Sequence, residues 1–133
     1  MPVITLDFET FFDTQYSLTR MSEVDYILDP RFETIMCAVK VDNSQSTVHI
    51  GHENVAARFA QIDWANSAFL SHNARFDASI LAWRFGIRPA LYLDTLSMAR
   101  AVTHWELGSS SLRSVADHFG LPPKGREVED ARG

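Results

Sequence analysis

Two hydrophobic periods meet in this chain, and their order limits the fold more than any other feature. Thr34 to Val41 alternates, with Ile35, Cys37, Val39 and Val41 on one side and Met36, Ala38 and Lys40 on the other, the period of a half-buried strand. Asp42-Asn43-Ser44-Gln45 is turn chemistry, and Thr47-Val48-His49-Ile50 returns as the second arm of a hairpin. After the hairpin the period lengthens. Val55, Ala56, Phe59, Ala60 and Ile62 recur at helical spacing, and the run Ala68-Phe69-Leu70-Ser71 suits a buried strand. A helix follows over about 76–85, closed by Gly86 and kept from continuing by Pro89. Leu91-Tyr92-Leu93 is another strand, and Leu96, Ala99 and Val102 indicate a helix after it. Leu112, Val115, Ala116 and Phe119 mark a last helix, ended by Gly120. Ahead of the hairpin, residues 3–8 form a first strand. The polar stretch 10–34 holds a short helix opened by Ser22, with Val24 and Ile27 as apolar contacts and Pro30 past its end. A hairpin followed by alternating strands and helices predicts an α/β fold. Its mixed sheet has three antiparallel strands first and parallel strands later, flanked by helices.

The 133 residues suit one domain, and 46% hydrophobic with 22% charged residues is the mix of a folded globular protein. Twelve basic against 17 acidic side chains give a formal net charge of −5. That excludes a polybasic protein held to nucleic acid by bulk attraction to phosphate. A single cysteine, Cys37, excludes an internal disulfide and a thiolate zinc site, and its alternating strand makes it a core residue. The opening MPVITLDFET lacks the basic region of a signal peptide. No apolar run approaches the ~20 residues that span a bilayer. The expected compartment is a reducing cytoplasm, with no membrane partner.

The chemistry concentrates in two acidic elements. Asp7 and Glu9 stand two apart at the end of the first strand, so both project from one face with Cα atoms about 6.6 Å apart. Carboxylates so aimed repel one another unless a cation lies between them, and they are the donors that Mg²⁺ or Mn²⁺ takes. A short D-x-E also ends many strands in plain solvent. The second element is Ser71-His72-Asn73-Ala74-Arg75-Phe76-Asp77, where strand gives way to helix. Asp77 falls in the first helical turn, where the dipole favours negative charge. Asn73 suits a helix cap or a loop brace, and Arg75 a phosphate contact or a solvated loop. Phe11 and Phe12 are candidates to stack on a terminal base, with core packing the alternative for at least one. Trp83 reads as a packing anchor, His49 and His52 as surface residues, and Asp94 as the cap of the following helix.

LDFET at 6–10 and SHNARFD at 71–77 resemble the first two motifs of the DEDD 3′–5′ exonucleases, which have a ribonuclease H-like fold and proofread for DNA polymerases. YSLTRMSEVDYILDPRFE at 16–33, LDTLSMAR at 93–100 and SLRSVADHFGLPPKG at 111–125 extend the resemblance over nearly the whole chain. The family it points to is the N-terminal exonuclease domains of phage-type family A DNA polymerases. The resemblance implies hydrolysis of phosphodiesters with two divalent ions, Mg²⁺ or Mn²⁺. Asp7 and Glu9 would hold the ion that activates water, Asp7 would bridge to the second, and Asp77 would reach that second ion through water. Thr10 would lie beside the terminal 3′ hydroxyl and Asn73 would support the second motif, with Phe11, Arg75 and Phe76 as further substrate contacts. The implied partners are the 3′ end of single-stranded DNA and the polymerase domain of a longer parent chain.

That family also carries a Tyr or His four residues before an Asp on a late helix. After position 100 no Tyr or His stands there: His104 and His118 lack an Asp at 108 and 122. Arg126 precedes Asp130 by four, but arginine does not serve as a base. The expectation is a single exonuclease-like domain over 1–133, truncated before its last catalytic helix and impaired in this short form. It would be a piece of a longer polymerase or a short relative. The alternative is an inactive nucleic-acid-binding or structural module with the same fold. A haloacid-dehalogenase-like phosphatase also opens on a strand ending D-x-D-x-T. Here the second acid is Glu, and Lys40 and Lys124 are the only lysines.

Overall fold

The protein is described by a computed structural model covering residues 1–103 and 111–121. Arg126, Asp130 and the expected truncation before a last catalytic helix lie outside the described residues. In order the elements are β1 (Val3–Thr10), α1 (Glu23–Leu28), β2 (Thr34–Val41), β3 (Thr47–Ile50), α2 (His52–Phe59), a 3₁₀ turn (Trp64–Asn66), β4 (Ala68–Ser71), α3 (Ala74–Phe85), β5 (Leu91–Asp94), α4 (Thr95–Thr103) and α5 (Leu112–His118). The strands form one sheet ordered β3-β2-β1-β4-β5. β1 pairs antiparallel with β2, and β2 with β3; β1 pairs parallel with β4, and β4 with β5. The predicted mixed sheet is therefore the observed one. Among the described residues no helix is long and apolar enough to cross a membrane.

Registers decide which side chains share a face. Leu6 opposes Val39, Phe8 opposes Cys37 and Ile4 pairs with Phe69, so these residues line one side of the sheet. All of them are buried, in one cluster with Val55 and Phe59 of α2 and Ile80 and Leu81 of α3. Phe8 meets the Phe59 ring edge-on and the Phe85 ring nearly parallel, each at 6.0 Å, pairs worth about 0.5–1.5 kcal/mol each beyond area burial. Cys37 is fully buried there, and burial pushes its thiol well above the ordinary cysteine value. It is a core residue, as its position on the strand predicts.

The same alternation puts Thr5, Asp7 and Glu9 on the opposite face. At the end of β1 the register shifts: Glu9 opposes Met36, but Thr10 opposes Thr34, leaving Ile35 as the extra residue of a bulge. Bulges re-aim the side chains beside them.

Local boundaries differ from expectation in two places. α3 starts at Ala74, two residues earlier than the pattern indicates. Asn73 takes a left-handed conformation, φ 64° and ψ 59°, which asparagine tolerates better than most residues, and so the turn after β4 is complete within two residues. In α1, Ser22 caps the helix as expected, its hydroxyl accepting from Asp25 N at 3.1 Å. Its buried side chains, however, are Tyr26 and Ile27, while Val24 is 49% exposed.

α1 is strapped to α3 at both ends. Arg75 pairs with Glu23 at 3.2 Å. Arg84 donates to the carbonyls of Ile27 and Asp29 at 2.7 and 2.8 Å, satisfying acceptors that the helix end leaves open.

Candidate active site

Asp77 is 7% exposed although it is a carboxylate. It lies in the first turn of α3, and the Ser71 hydroxyl at the end of β4 donates to its Oδ2. Its pKa is raised to about 7: burial is the largest cause, the negative charges of Asp7, Glu9 and Asp94 add to it, and the Ser71 bond works against them. The three acids predicted from the sequence thus reach one region and act on one another. Glu9 is buried and Asp7 is exposed.

Asp94 is more than the predicted cap. Its Oδ1 accepts from Leu96 N of α4 at 2.9 Å and from Asn73 N at 3.0 Å, and Ser97 donates to Oδ2 at 3.3 Å. Burial raises its pKa, but backbone N–H groups of Leu96, Ala74 and Asn73 and the Ser97 hydroxyl outweigh that and lower it. One carboxylate therefore ties the start of α4 to the turn that presents Asp77. The parallel pairing of Ser71 with Asp94 brings these turns together.

Beside Glu9 opens a cavity of about 630 Å³ lined by Phe8, Glu9, Thr10, Phe12, Tyr26 and Phe76, with further lining from residues 13, 14 and 17–20. Phe8, Glu9 and Thr10 are consecutive, and a regular strand does not turn three successive side chains to one space; the bulge at Thr10 lies beside them. A smaller cleft of about 260 Å³ lies at Asp7, Ser71, His72 and Thr95. The Tyr26 hydroxyl donates to Phe11 O at 2.6 Å and lies 2.8 Å from Thr10 Oγ1. Burial raises its pKa, so it stays protonated at neutral pH. Tyr16 stacks on Tyr26 at 4.5 Å and donates to its carbonyl at 2.5 Å.

The predicted substrate contacts divide. Thr10 and Phe76 line the cavity. Phe11 is not among its lining residues; its ring stacks on Tyr16 at 6.1 Å, and Phe12 takes the place beside the site. Arg75 pairs with Glu23, although its side chain is 80% exposed. Asn73 makes no side-chain cap bond; it serves the turn through its backbone. Trp83 is no packing anchor: it is 44% exposed and lines a separate cleft with Thr34 and His52. The imidazole of His52 stacks on Phe85 at 4.6 Å. Sequence reasoning missed Tyr26, Ser71 and the second role of Asp94. The signal available for Tyr26 was its place four residues after the Ser22 cap of α1, alongside buried Ile27.

Carboxylate oxygens are suitable donors for Mg²⁺ or Mn²⁺. Among the described residues no three His, Cys, Asp or Glu side chains are grouped closely enough to enclose a metal ion. Mg²⁺ commonly binds through one or two carboxylates, with water and substrate phosphate completing its shell. An open acidic edge fits that class of ion.

No protein-family model matches the chain, and no curated protein matches it. Solved structures do. The apo form of a nuclease superposes with a TM-score of 0.65 at 16% identity, over 95% of this chain and 56% of that one. Brucella melitensis NrnC, solved with bound Mg²⁺, gives 0.64 at 14% identity, over 97% of this chain and 64% of its own; it has also been solved bound to pGG. The family B DNA polymerase of Pyrobaculum calidifontis gives 0.62 at 20%, over 92% of this chain and 18% of that one. The chain thus spans less than two thirds of each of these relatives. Its five-stranded mixed sheet with flanking helices has the ribonuclease H-like fold.

Proposed function

We propose that the chain is a metal-dependent 3′–5′ exonuclease domain acting on the 3′ end of single-stranded DNA, of the kind joined to a phage-type DNA polymerase. The observation that carries this reading is Asp77, buried at the start of α3 and coupled by charge to Asp7 and Glu9. Three acids whose negative charges act on one another in one region are a costly arrangement unless cations bind there. NrnC with Mg²⁺ and with pGG, on the same fold, supports the choice of ion and ligand class.

Asp7 and Glu9 of β1 and Asp77 of α3 would hold the ions. When bound, such ions lower the pKa of water and offset charge on the phosphate being transferred. Ser71 fixes the Asp77 carboxylate, and Asp94 fixes the turn that carries it. Thr10, Phe12, Tyr26 and Phe76 shape a cavity with room for a terminal nucleoside.

No Tyr or His follows at the spacing of a third motif. A lost general base typically costs about 10²–10⁴-fold, so the isolated 133-residue chain should be slow. The test is release of 5′-mononucleotides from a 3′-labelled oligonucleotide in Mg²⁺ or Mn²⁺. Slow release that Asp7→Ala abolishes is the expected result; release that Asp7→Ala leaves unchanged overturns the reading. The absence of any closely grouped set of three metal-binding side chains among the described residues favours a second reading. In it, the same fold binds strands without hydrolysing them. Strand binding with no Asp7-dependent release would select that reading.

A further inference from the structure

The larger cavity has two acids in its lining, Glu9 and Asp13, and a single base, Arg20. The sequence offers Arg75 as a phosphate contact, but Arg75 does not line the cavity and is paired with Glu23. Arg20 is exposed, and among the described residues no ion pair or hydrogen bond engages its guanidinium. The backbone beneath it is fixed. Asp13 Oδ1 accepts from Gln15 N at 2.8 Å and Tyr16 N at 2.6 Å, and Ser17 O accepts from Arg20 N at 3.1 Å and Met21 N at 3.2 Å. Tyr16 plugs this turn into the core, fully buried and stacked on Tyr26 at 4.5 Å. Of the acids Asp7, Glu9 and Asp77, only Glu9 lines this cavity, and the charges that weigh most on Asp77 are all negative. The acid cluster and Arg20 therefore mark two separate places for negative charge on a ligand, one reached through cations and the other cationic itself.

We infer that Arg20 binds the phosphate one linkage upstream of the phosphate at the acids, so that the site holds a strand more tightly than the mononucleotide cut from it. A 5′-mononucleotide carries one phosphate, and the acid cluster takes it. A strand brings a second, and Arg20 is the free cation that meets it. The planar guanidinium matches two phosphate oxygens at once. With a net charge of −5, the rest of the chain offers a strand little attraction of its own. Arg20 thereby separates substrate from product by charge, and cleavage itself removes the contact that held the departing nucleotide to this turn. The inference rests on the exonuclease reading, since it presumes that a strand end enters this cavity.

The experiment is an anisotropy titration of a 5′-fluorescein-labelled oligothymidylate, with thymidine 5′-monophosphate as competitor and Ca²⁺ replacing Mg²⁺ to suppress turnover. Arg20→Ala should weaken the strand about tenfold, the scale of a hydrogen bond to a charged group, and leave the mononucleotide constant unchanged. It should also flatten the dependence of log K on log salt by about 0.7, the worth of one phosphate on a single strand. Arg20→Lys, which keeps the charge, should keep the wild-type salt slope. A methylphosphonate at the second linkage from the 3′ end removes that phosphate's charge. It should weaken wild type by a similar factor and Arg20→Ala hardly at all, and its wild-type arm needs no variant. Strand affinity unchanged by Arg20→Ala overturns the inference and leaves the exonuclease reading standing. So does a mononucleotide constant that falls as far as the strand's, which would place Arg20 at the terminal phosphate. A wild type that binds neither strand nor mononucleotide overturns both.

Discussion

A buried carboxylate with a raised pKa makes stability depend on pH. Asp77 titrates near 7 when folded and near the ordinary aspartate value of about 3.9 when unfolded. Between those values the folded chain keeps a proton that the unfolded chain has lost, so stability falls as pH rises from about 4 to 7. Below the unfolded value the contribution is fully present; above the folded value it is gone. Asp77→Asn keeps the size and the partner for Ser71 without the charge. In chelator at pH 8 it should be more stable than wild type by up to about 4 kcal/mol, at about 1.4 kcal/mol per pH unit, with little difference at pH 4. Urea melts at both pH values measure this, and equal pH slopes for the two proteins would refute it. Asp7, Glu9 and Asp77 were legible in the sequence because strand period and helix start place them locally. Arg75 was not, because its partner Glu23 lies 52 residues away. Nor was Trp83, since helical spacing does not say how much of an indole the neighbours cover.

At the scale of elements, α1 is a short helix whose place depends on α3. Its six residues are too few to be stable alone. Arg84 supplies two hydrogen bonds to its C-terminal end and lies 4.9 Å above the Phe32 ring. Arg84→Ala should lower stability by about 1–3 kcal/mol and speed amide exchange in residues 23–28 beyond the change in global stability. Exchange there that follows the global change alone would mean the strap adds nothing local. The strand and helix order was readable from the two hydrophobic periods. The bulge at Thr10 was not, because it exists only in the pairing of β1 with β2. The left-handed Asn73 was hidden for a related reason: asparagine fits caps and turns alike, and the tight link from β4 fixes which.

Over the whole molecule, the hairpin first and alternation later were enough to give the mixed sheet, since the later crossovers leave few other arrangements. The two-sided roles of Asp94 and Tyr26 were not legible, because each joins segments that only the assembled sheet brings together. One residue of the core has a practical consequence. Cys37 is the sole thiol, lies opposite Phe8 at the centre of the β1–β2 pairing and is sealed from solvent. Thiols react as thiolates, and this one is both shielded and held protonated. The protein therefore carries an internal gauge of its own opening: a disulfide reagent can report only molecules whose central strands have parted. Labelling in native buffer should be slow, and the opening free energy it yields should match that from urea melts. Labelling as fast as that of a free cysteine peptide would mean that the central strands part far below the global unfolding energy.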